Sequence, residues 1–199
     1  MTVESNEILK PKLKFALLCN GYVFKNWQAK AIEQLLDSGN AELVMIIANE
    51  ETGIKTSFIR KVLHTFMHHF IYQVYMKVFF KPGAIQNIDL SDKLSGIPLL
   101  NCKTLKSKKF SEYFSEDDIR KIKEHKLDFM LRFGFNIIRG EILSVAKYGI
   151  WSYHHDDEEK YRGGPPGFWE IMKNDPVNAV VLQRITDKLD SGIILRKGY

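Results

Sequence analysis

An α/β fold built on a parallel sheet is predicted by three consecutive stretches near the start of the chain. Lys12 to Cys19 carries Leu13, Phe15, Ala16, Leu17 and Leu18 and then breaks at Asn20-Gly21, which reads as a buried strand ending in a turn. Trp27, Ala31, Ile32, Leu35 and Leu36 recur at helical spacing until Ser38-Gly39-Asn40 supplies a stop. Glu42 to Ala48, with Leu43, Val44, Met45, Ile46 and Ile47, is a second apolar run of strand length. Strand, helix and strand in that order imply a right-handed crossover and hence an α/β domain.

The remaining elements follow from similar signals. Ser57 to Phe80 is aromatic and basic, with Val62, Leu63, Phe66, Phe70, Val74 and Val78 among its apolar members, and is expected to be helical. Asp89 to Cys102 is loop-like around Gly96 and Pro98, with a short strand expected at Ile97 to Leu100. Ser115 with Asp118 three residues later marks a helix start, and Ile119, Ile122 and Leu127 give that segment its apolar stripe. Asp128 to Phe135 is expected as a strand and Gly149 to Tyr153 as the last core strand before His154. A short helix is expected over Phe168 to Lys173, with Phe168 and Trp169 as core aromatics, and a strand over Ala179 to Arg184. The sequence contains no internal repeat or low-complexity tract.

Bulk properties narrow the class. With 199 residues, of which 45% are hydrophobic, the chain is long enough for one domain with its own core. Cys19 and Cys102 stand far apart with no metal-ligand spacing, which disfavours a disulfide scaffold or a zinc site and suits reduced thiols in a cytoplasmic setting. The N-terminus lacks a basic start and an apolar block, and no run approaches membrane-spanning length, so an unexported protein without membrane partners is expected. A net charge of +5 favours anionic partners without choosing among them. His64 and His68 have a metal-compatible spacing, but without a third ligand they read as a polar helix face and no metal is expected. The basic run Lys103 to Lys109 and the acidic run Asp156 to Glu159 both read as solvated loops. There is no Gly-x-Gly-x-x-Gly after the first strand, no Gly-Lys-Ser/Thr phosphate loop and no Gly-x-Ser-x-Gly elbow, which disfavours a dinucleotide oxidoreductase or nucleotide triphosphatase.

The chemistry-bearing residues lie near the C-terminus. Ser152-Tyr153-His154-His155-Asp156 is followed by Tyr161-Arg162-Gly163-Gly164-Pro165-Pro166, and 36 residues after His154 comes Asp190, within Leu189-Asp190-Ser191-Gly192. This order resembles the N10-formyltetrahydrofolate-dependent formyltransferases, whose pattern is Asn-x-His-x-Ser, then Tyr/Trp-Arg-Gly-x-x-Pro, then Leu/Ile-Asp-x-Gly. The resemblance runs from about Lys12 to Leu195. It implies a Rossmann-like formyltransferase catalytic domain, with a mostly parallel twisted sheet flanked by helices, a helical insertion near 57–80 and no appended C-terminal module.

Catalytic roles are implied residue by residue. His154 takes the family histidine, Asp190 the family aspartate, and Ser152 stands where the family has asparagine. Formyl transfer asks an amine to attack a formamide-like carbonyl, so negative charge grows on oxygen and positive charge on nitrogen. A histidine beside that carbonyl donates to the oxyanion, and removing one such donor costs ~2.7–4 kcal/mol of barrier. Asp190 would orient His154 and handle the proton leaving the amine, with Ser152 as a weaker second donor.

The resemblance also implies cofactor contacts from Phe133, Gly134, Phe135, Asn136 and Ile137 and from Thr186 and Asp187, and acceptor contacts from Arg162 and Trp169. The Pro166-Gly167-Phe168-Trp169 string is similar to nucleotide-sugar N-formyltransferases, which implies an amino sugar of a nucleotide-linked sugar as the primary-amine acceptor. A homodimer is left open. Replacement of the asparagine by Ser152 keeps open a weak or inactive folate- or nucleotide-binding relative with a regulatory or scaffold role. The positive charge motivates an RNA-binding relative, although the sequence holds no RNA-recognition motif.

Overall fold

The computed structural model describes residues 11–50, 82–107, 111–155, 157–161, 166–188 and 191–199. The helical expectation for Ser57 to Phe80, with His64 and His68, lies outside these residues, as do Lys108, Lys109, Asp156, Arg162, Leu189 and Asp190.

The sheet is built as the sequence demands. Strand β1 (Leu13–Cys19) leads through a short β2 (Val23–Lys25) into helix α1 (Asn26–Asp37) and returns as β3 (Ala41–Asn49), parallel to β1. Downstream come β4 (Asn87–Asp89), β5 (Leu99–Cys102), β6 (Leu105–Lys106), β7 (Ser111–Tyr113), α2 (Glu116–Glu124), β8 (Phe129–Arg132) and β9 (Ile137–Arg139). The chain ends with β10 (Ile150–His155), α3 (Phe168–Lys173), β11 (Val180–Arg184) and β12 (Ile193–Gly198).

Seven strands form one sheet in the order β12-β11-β10-β8-β1-β3-β5, with β2-β4 and β6-β7-β9 as small satellites. The five strands from β10 to β5 are all parallel, whereas β11 and β12 add antiparallel at one edge.

Both faces of the central strands are covered, which explains why their sequences are continuously apolar rather than alternating. Phe15, Leu17 and Cys19 face α1, where Ala29 and Ile32 are buried, whereas Ala16 and Leu18 face the side packed by Ile119 and Ile122 of α2. Leu131 and Phe129 join the first cluster and Met130 and Ile150 the second. Ser115 caps α2 as its sequence predicts, its hydroxyl accepting from the Asp118 amide at 3.1 Å.

Four expectations are corrected. The strand expected at Ile97 to Leu100 forms two residues later, because the Ile97 amide closes a turn onto the Leu94 carbonyl at 3.3 Å. The strand expected over Asp128 to Phe135 stops at Arg132: the amides of Phe133 and Gly134 both donate to the Leu18 carbonyl, at 2.7 and 2.9 Å, and Phe135 takes a φ of 65° that carries the chain out of the sheet. Phe168 and Trp169 are not core aromatics. They are 41% and 37% exposed, while the inward position of α3 holds Glu170, 3% exposed, with neither carboxylate oxygen hydrogen-bonded among the described residues.

The acidic run is the fourth. Its described part, Asp157 to Glu159, is tied down rather than freely solvated, since Lys197 of β12 reaches Asp157, Glu158 and the exposed Glu159 at 2.9, 3.0 and 3.4 Å. The Lys197 ammonium holds the Asp157 carboxyl below its ordinary range, and Asp157 and Glu158 in turn raise Lys197. No helix among the described residues is long and apolar enough to cross a membrane.

Candidate functional site

The sheet order reverses at β1. From β1 the chain builds outward through β3 to β5, then returns to the other side of β1 to add β8 and β10. In open α/β sheets such a reversal leaves a crevice beyond the carboxyl ends of the strands, where ligands bind. Here those ends are Cys19 of β1, Arg132 of β8 and His155 of β10. The crevice is tight at its base. A Cβ on Gly134 would lie 2.6 Å from the Cys19 carbonyl carbon and 2.8 Å from its Cα, so only glycine lets the two strand ends close on one another.

Two openings flank this point. The first, about 150 Å³, is lined by Asn136, Ile137 and Ile138, by Ser152, Tyr153 and His154 of β10, by Gln183 of the adjoining β11, and by Ile185, Thr186, Asp187, Lys188 and Gly192. The second, about 170 Å³, is lined by Trp27, Gln28, Phe133, Gly134 and Phe135. Arg132, Ser152 and Tyr153 belong to both walls. The structure thus brings Ser152 and His154 together with Asn136, Ile137, Thr186 and Asp187. Phe133, Gly134 and Phe135 fall on the other side of Arg132. Trp169 lines neither opening. Arg162 and Asp190 are outside the described residues.

His154 is half-buried near the end of β10, its ring stacked on His155 at 4.7 Å between centroids. Its Nδ1 lies 2.6 Å from the His155 carbonyl. A carbonyl only accepts, so the proton sits on Nδ1, and Nε2 is the nitrogen left to meet a ligand: an acceptor in neutral imidazole, a donor in imidazolium. Two strands away in sequence but adjacent in the sheet, Arg132 pairs in register with Ser152. Its Nη1 donates to the Ser152 hydroxyl at 3.1 Å, and Nη2 to the carbonyls of Phe135 and Asn136 at 3.0 and 2.7 Å. Burial lowers the Arg132 pKa from its ordinary value, and the Glu112 charge opposes that shift.

Glu112 is fully buried on β7 and accepts from the Asn136 amide at 3.1 Å and from its side-chain nitrogen at 2.6 Å. Arg132 and Glu112 together fix the 133–137 turn from both sides. Asp187 is held from outside by Arg139, whose guanidinium donates to its backbone carbonyl and stands 3.7 Å from its carboxylate. The Thr186 hydroxyl turns inward along its own loop, toward the carbonyls of Lys188 and Ser191 at 3.2 and 3.1 Å. Cys19 reaches the other side of the crevice but is no nucleophile, because burial pushes its thiol up to about 11.

Sequence reasoning missed Arg132, Glu112, Tyr153, Gln183 and Trp27. One signal was present: Arg132 is a charge placed directly at the end of the apolar Phe129-Met130-Leu131 run, where no surface-facing alternation requires it.

No family model matches the chain. It is 24% identical over 162 residues to the methionyl-tRNA formyltransferase of Prochlorococcus marinus (strain MIT 9215), covering 81% of this chain and 40% of that protein. It is 29% identical over 120 residues to the bifunctional polymyxin resistance protein ArnA of Wigglesworthia glossinidia brevipalpis, covering 60% of this chain and 16% of that protein. The chain therefore spans less than half the length of these curated relatives.

Among solved structures, the phosphoribosylglycinamide formyltransferase of Bacillus halodurans superposes with a TM-score of 0.54 at 20% identity, over 93% of this chain and 78% of that one. A formyltetrahydrofolate deformylase from Pseudomonas syringae pv. tomato superposes equally, with a TM-score of 0.54 at 12% identity over 94% of this chain and 51% of that one. The chain has a formyltransferase fold. Within the formyltransferase fold, β1, β3, β8 and β10 supply the parallel frame, and the antiparallel β11 carries Gln183 and leads into Thr186 and Asp187 at the first opening.

Proposed function

We propose that this protein transfers a formyl group from N10-formyltetrahydrofolate to a primary amine. The observation that carries the reading is the first opening, where Ser152 and His154 at the end of β10 face Asn136, Ile137, Thr186 and Asp187 across the crevice of the switch point. Its walls suit a flat heterocycle with donors and acceptors on its rim. Ile137, Ile138 and Ile185 supply apolar contact, while the Gln183 amide and the backbone between Ile185 and Lys188 supply hydrogen-bonding groups. Folate would occupy this opening, and the acceptor would approach from the side of Trp27 and Phe133, across Arg132 and Ser152.

The reaction is a balanced exchange. A bond forms between the amine nitrogen and the formyl carbon, the bond from that carbon to N10 breaks with its electron pair returning to N10, and the proton shed by the amine ends on N10. The formyl group supplies an electrophilic carbon and an oxygen that becomes negative as the amine attacks. His154 as imidazolium donates from Nε2 to that oxygen, with Nδ1 anchored on the His155 carbonyl so that the ring does not turn away. Asp190 receives the amine proton, a role that rests on its place in the Leu-Asp-Ser-Gly segment. Arg162 and Trp169 are assigned to the acceptor from the sequence resemblance alone, Trp169 lining neither opening, and the Pro166-Gly167-Phe168-Trp169 string supports an amino sugar on a nucleotide carrier.

The test is formyl transfer from N10-formyltetrahydrofolate to a panel of nucleotide-linked amino sugars, glycinamide ribonucleotide and aminoacyl-tRNA. His154→Ala is expected to lower kcat by about 10²–10³-fold. Turnover that persists undiminished in that variant removes the mechanism. A second reading, a folate-binding relative without turnover, is favoured by Ser152 standing in place of asparagine; tight folate binding with no transfer to any acceptor would select it.

A further inference from the structure

Arg132 is a half-buried cation with its Nε fully out of solvent and, among the described residues, no ion-pair partner. The facing Glu112 is committed instead to the amide and side chain of Asn136. Its Nε is buried and makes no hydrogen bond. Three neutral oxygens receive its remaining donors: the Ser152 hydroxyl and the carbonyls of Phe135 and Asn136. Withdrawing a charge from water is costly, and here only the nearby Glu112 charge offsets it without an ion pair, so a guanidinium kept in this state in the wall between two openings suits a site where negative charge arrives or develops.

Ser152 shows where that charge would be felt. It is 3% exposed, yet it lines both openings. Its oxygen accepts from Arg132, so its own proton must be donated elsewhere. The acceptor present is the Tyr153 carbonyl at 3.3 Å, well beyond the about 2.7–2.8 Å typical of O–H···O bonds. That proton is weakly held and turns readily to a closer oxygen. A hydroxyl that accepts from a guanidinium is also a stronger donor than one left alone, since chained hydrogen bonds polarise one another.

We infer that Arg132 and Ser152 act as one unit in the formyl transfer proposed above, the Ser152 hydroxyl donating to the formyl oxygen and Arg132 polarising and orienting that hydroxyl. Ser152 is the catalytic residue, touching the reacting oxygen opposite His154, and Arg132 is a positioning residue that exchanges no proton. The inference rests on the formyl-transfer reading and extends it. A serine alone is too short and too weak a donor to replace a carboxamide; a serine backed by a half-buried cation supplies both reach and charge.

The experiment has an arm that does not depend on turnover. The carbonyl stretch of N10-formyltetrahydrofolate labelled with ¹³C at the formyl group is read by difference infrared spectroscopy on the bound donor, in wild type, Arg132→Met, Arg132→Lys, Ser152→Ala and the double variant Arg132→Met/Ser152→Ala. The expected result is a lowered frequency in wild type, most of that lowering lost in Ser152→Ala and in Arg132→Met, no further loss in the double variant, and partial recovery in Arg132→Lys. In turnover the two single variants should each lower kcat by about 10²-fold with little change in KM, and the double variant should be no slower than the worse single. A merely structural Arg132 would give additive losses, a raised KM and an unchanged carbonyl frequency once donor is bound, and that outcome overturns the inference while leaving the formyl-transfer reading intact. Absence of donor binding in wild type overturns both. Circular dichroism and thermal unfolding of each variant identify any that fails to fold, and Arg132→Lys, which keeps the charge in the same place, then decides between the two outcomes.

Discussion

Substituting Gly134 by alanine tests the geometry on which the crevice depends. The added Cβ would meet the Cys19 carbonyl carbon at 2.6 Å, its Cα at 2.8 Å and the Asn20 Oδ1 at 2.7 Å. Two of these atoms are backbone in β1, which is buried on both faces and has nowhere to retreat. Restoring ordinary contact at about 3.4 Å requires the 133–134 turn to move by about 0.8 Å, the difference between 3.4 and 2.6. The Phe133 and Gly134 amides that donate to the Leu18 carbonyl at 2.7 and 2.9 Å would be stretched to the limit of hydrogen bonding or past it. Two weakened hydrogen bonds at about 1 kcal/mol each, with about 1–3 kcal/mol of overpacking, give a loss of about 3–5 kcal/mol. For a chain of this length each kcal/mol lowers Tm by about 2–4 °C, so thermal unfolding should fall by about 6–20 °C. Gly83→Ala is the control, because a Cβ there meets nothing within 4 Å. If Gly134→Ala unfolds at the wild-type temperature while it keeps the native fold, the close approach of β1 to the turn after β8 is wrong, and with it the origin of the crevice.

Two further outcomes follow from other parts of the fold. Replacing Glu170, buried and without a hydrogen bond, by Gln or Met removes a charge that the described surroundings do not compensate, so Tm should rise by a few degrees; a clear drop in calorimetry would show that the carboxylate has a partner. The Asp157 pKa is depressed chiefly by Lys197, so its contribution to stability is present above the unfolded carboxylate value of about 3.9 and is lost as pH falls through the lower folded value. Lys197 is raised, so its share is full below about 10.4 and is lost only in stronger alkali. The Tm difference between wild type and Lys197→Met should therefore be flat from about pH 5 to 9 and shrink below about pH 4; a difference that grows on acidification would contradict the ion cluster.

The frame of the fold was legible because its signals are local. β1, α1 and β3 each carry enough apolar residues at one period to declare themselves, the Ser115 cap sits three residues from the amide it binds, and α3 was bounded correctly from Phe168 to Lys173. β2, β4 and β6 were not foreseen because strands of two or three residues have no period to read. β8 was read too long because Phe133 and Phe135 continue its apolar pattern, and what ends it is a partner strand that stops at Cys19.

The site divides in the same way. His154 and Ser152 were found from a short motif, whereas Arg132 matters through its register opposite Ser152 on a neighbouring strand, and Glu112 through a contact to a turn 24 residues away. The inward Glu170 contradicts the expectation drawn from Phe168 and Trp169, since a helix of six residues has too few positions to enforce an apolar face.

Lys197 ties the outermost ribbon of the sheet to the segment that leaves His154, through three carboxylates in a row. Fraying at that edge and loosening of the mouth of the crevice are therefore one coupled equilibrium. A ligand that steadies the mouth should slow amide hydrogen exchange along β12, although the strand itself touches nothing in the first opening except through Gly192 just before it.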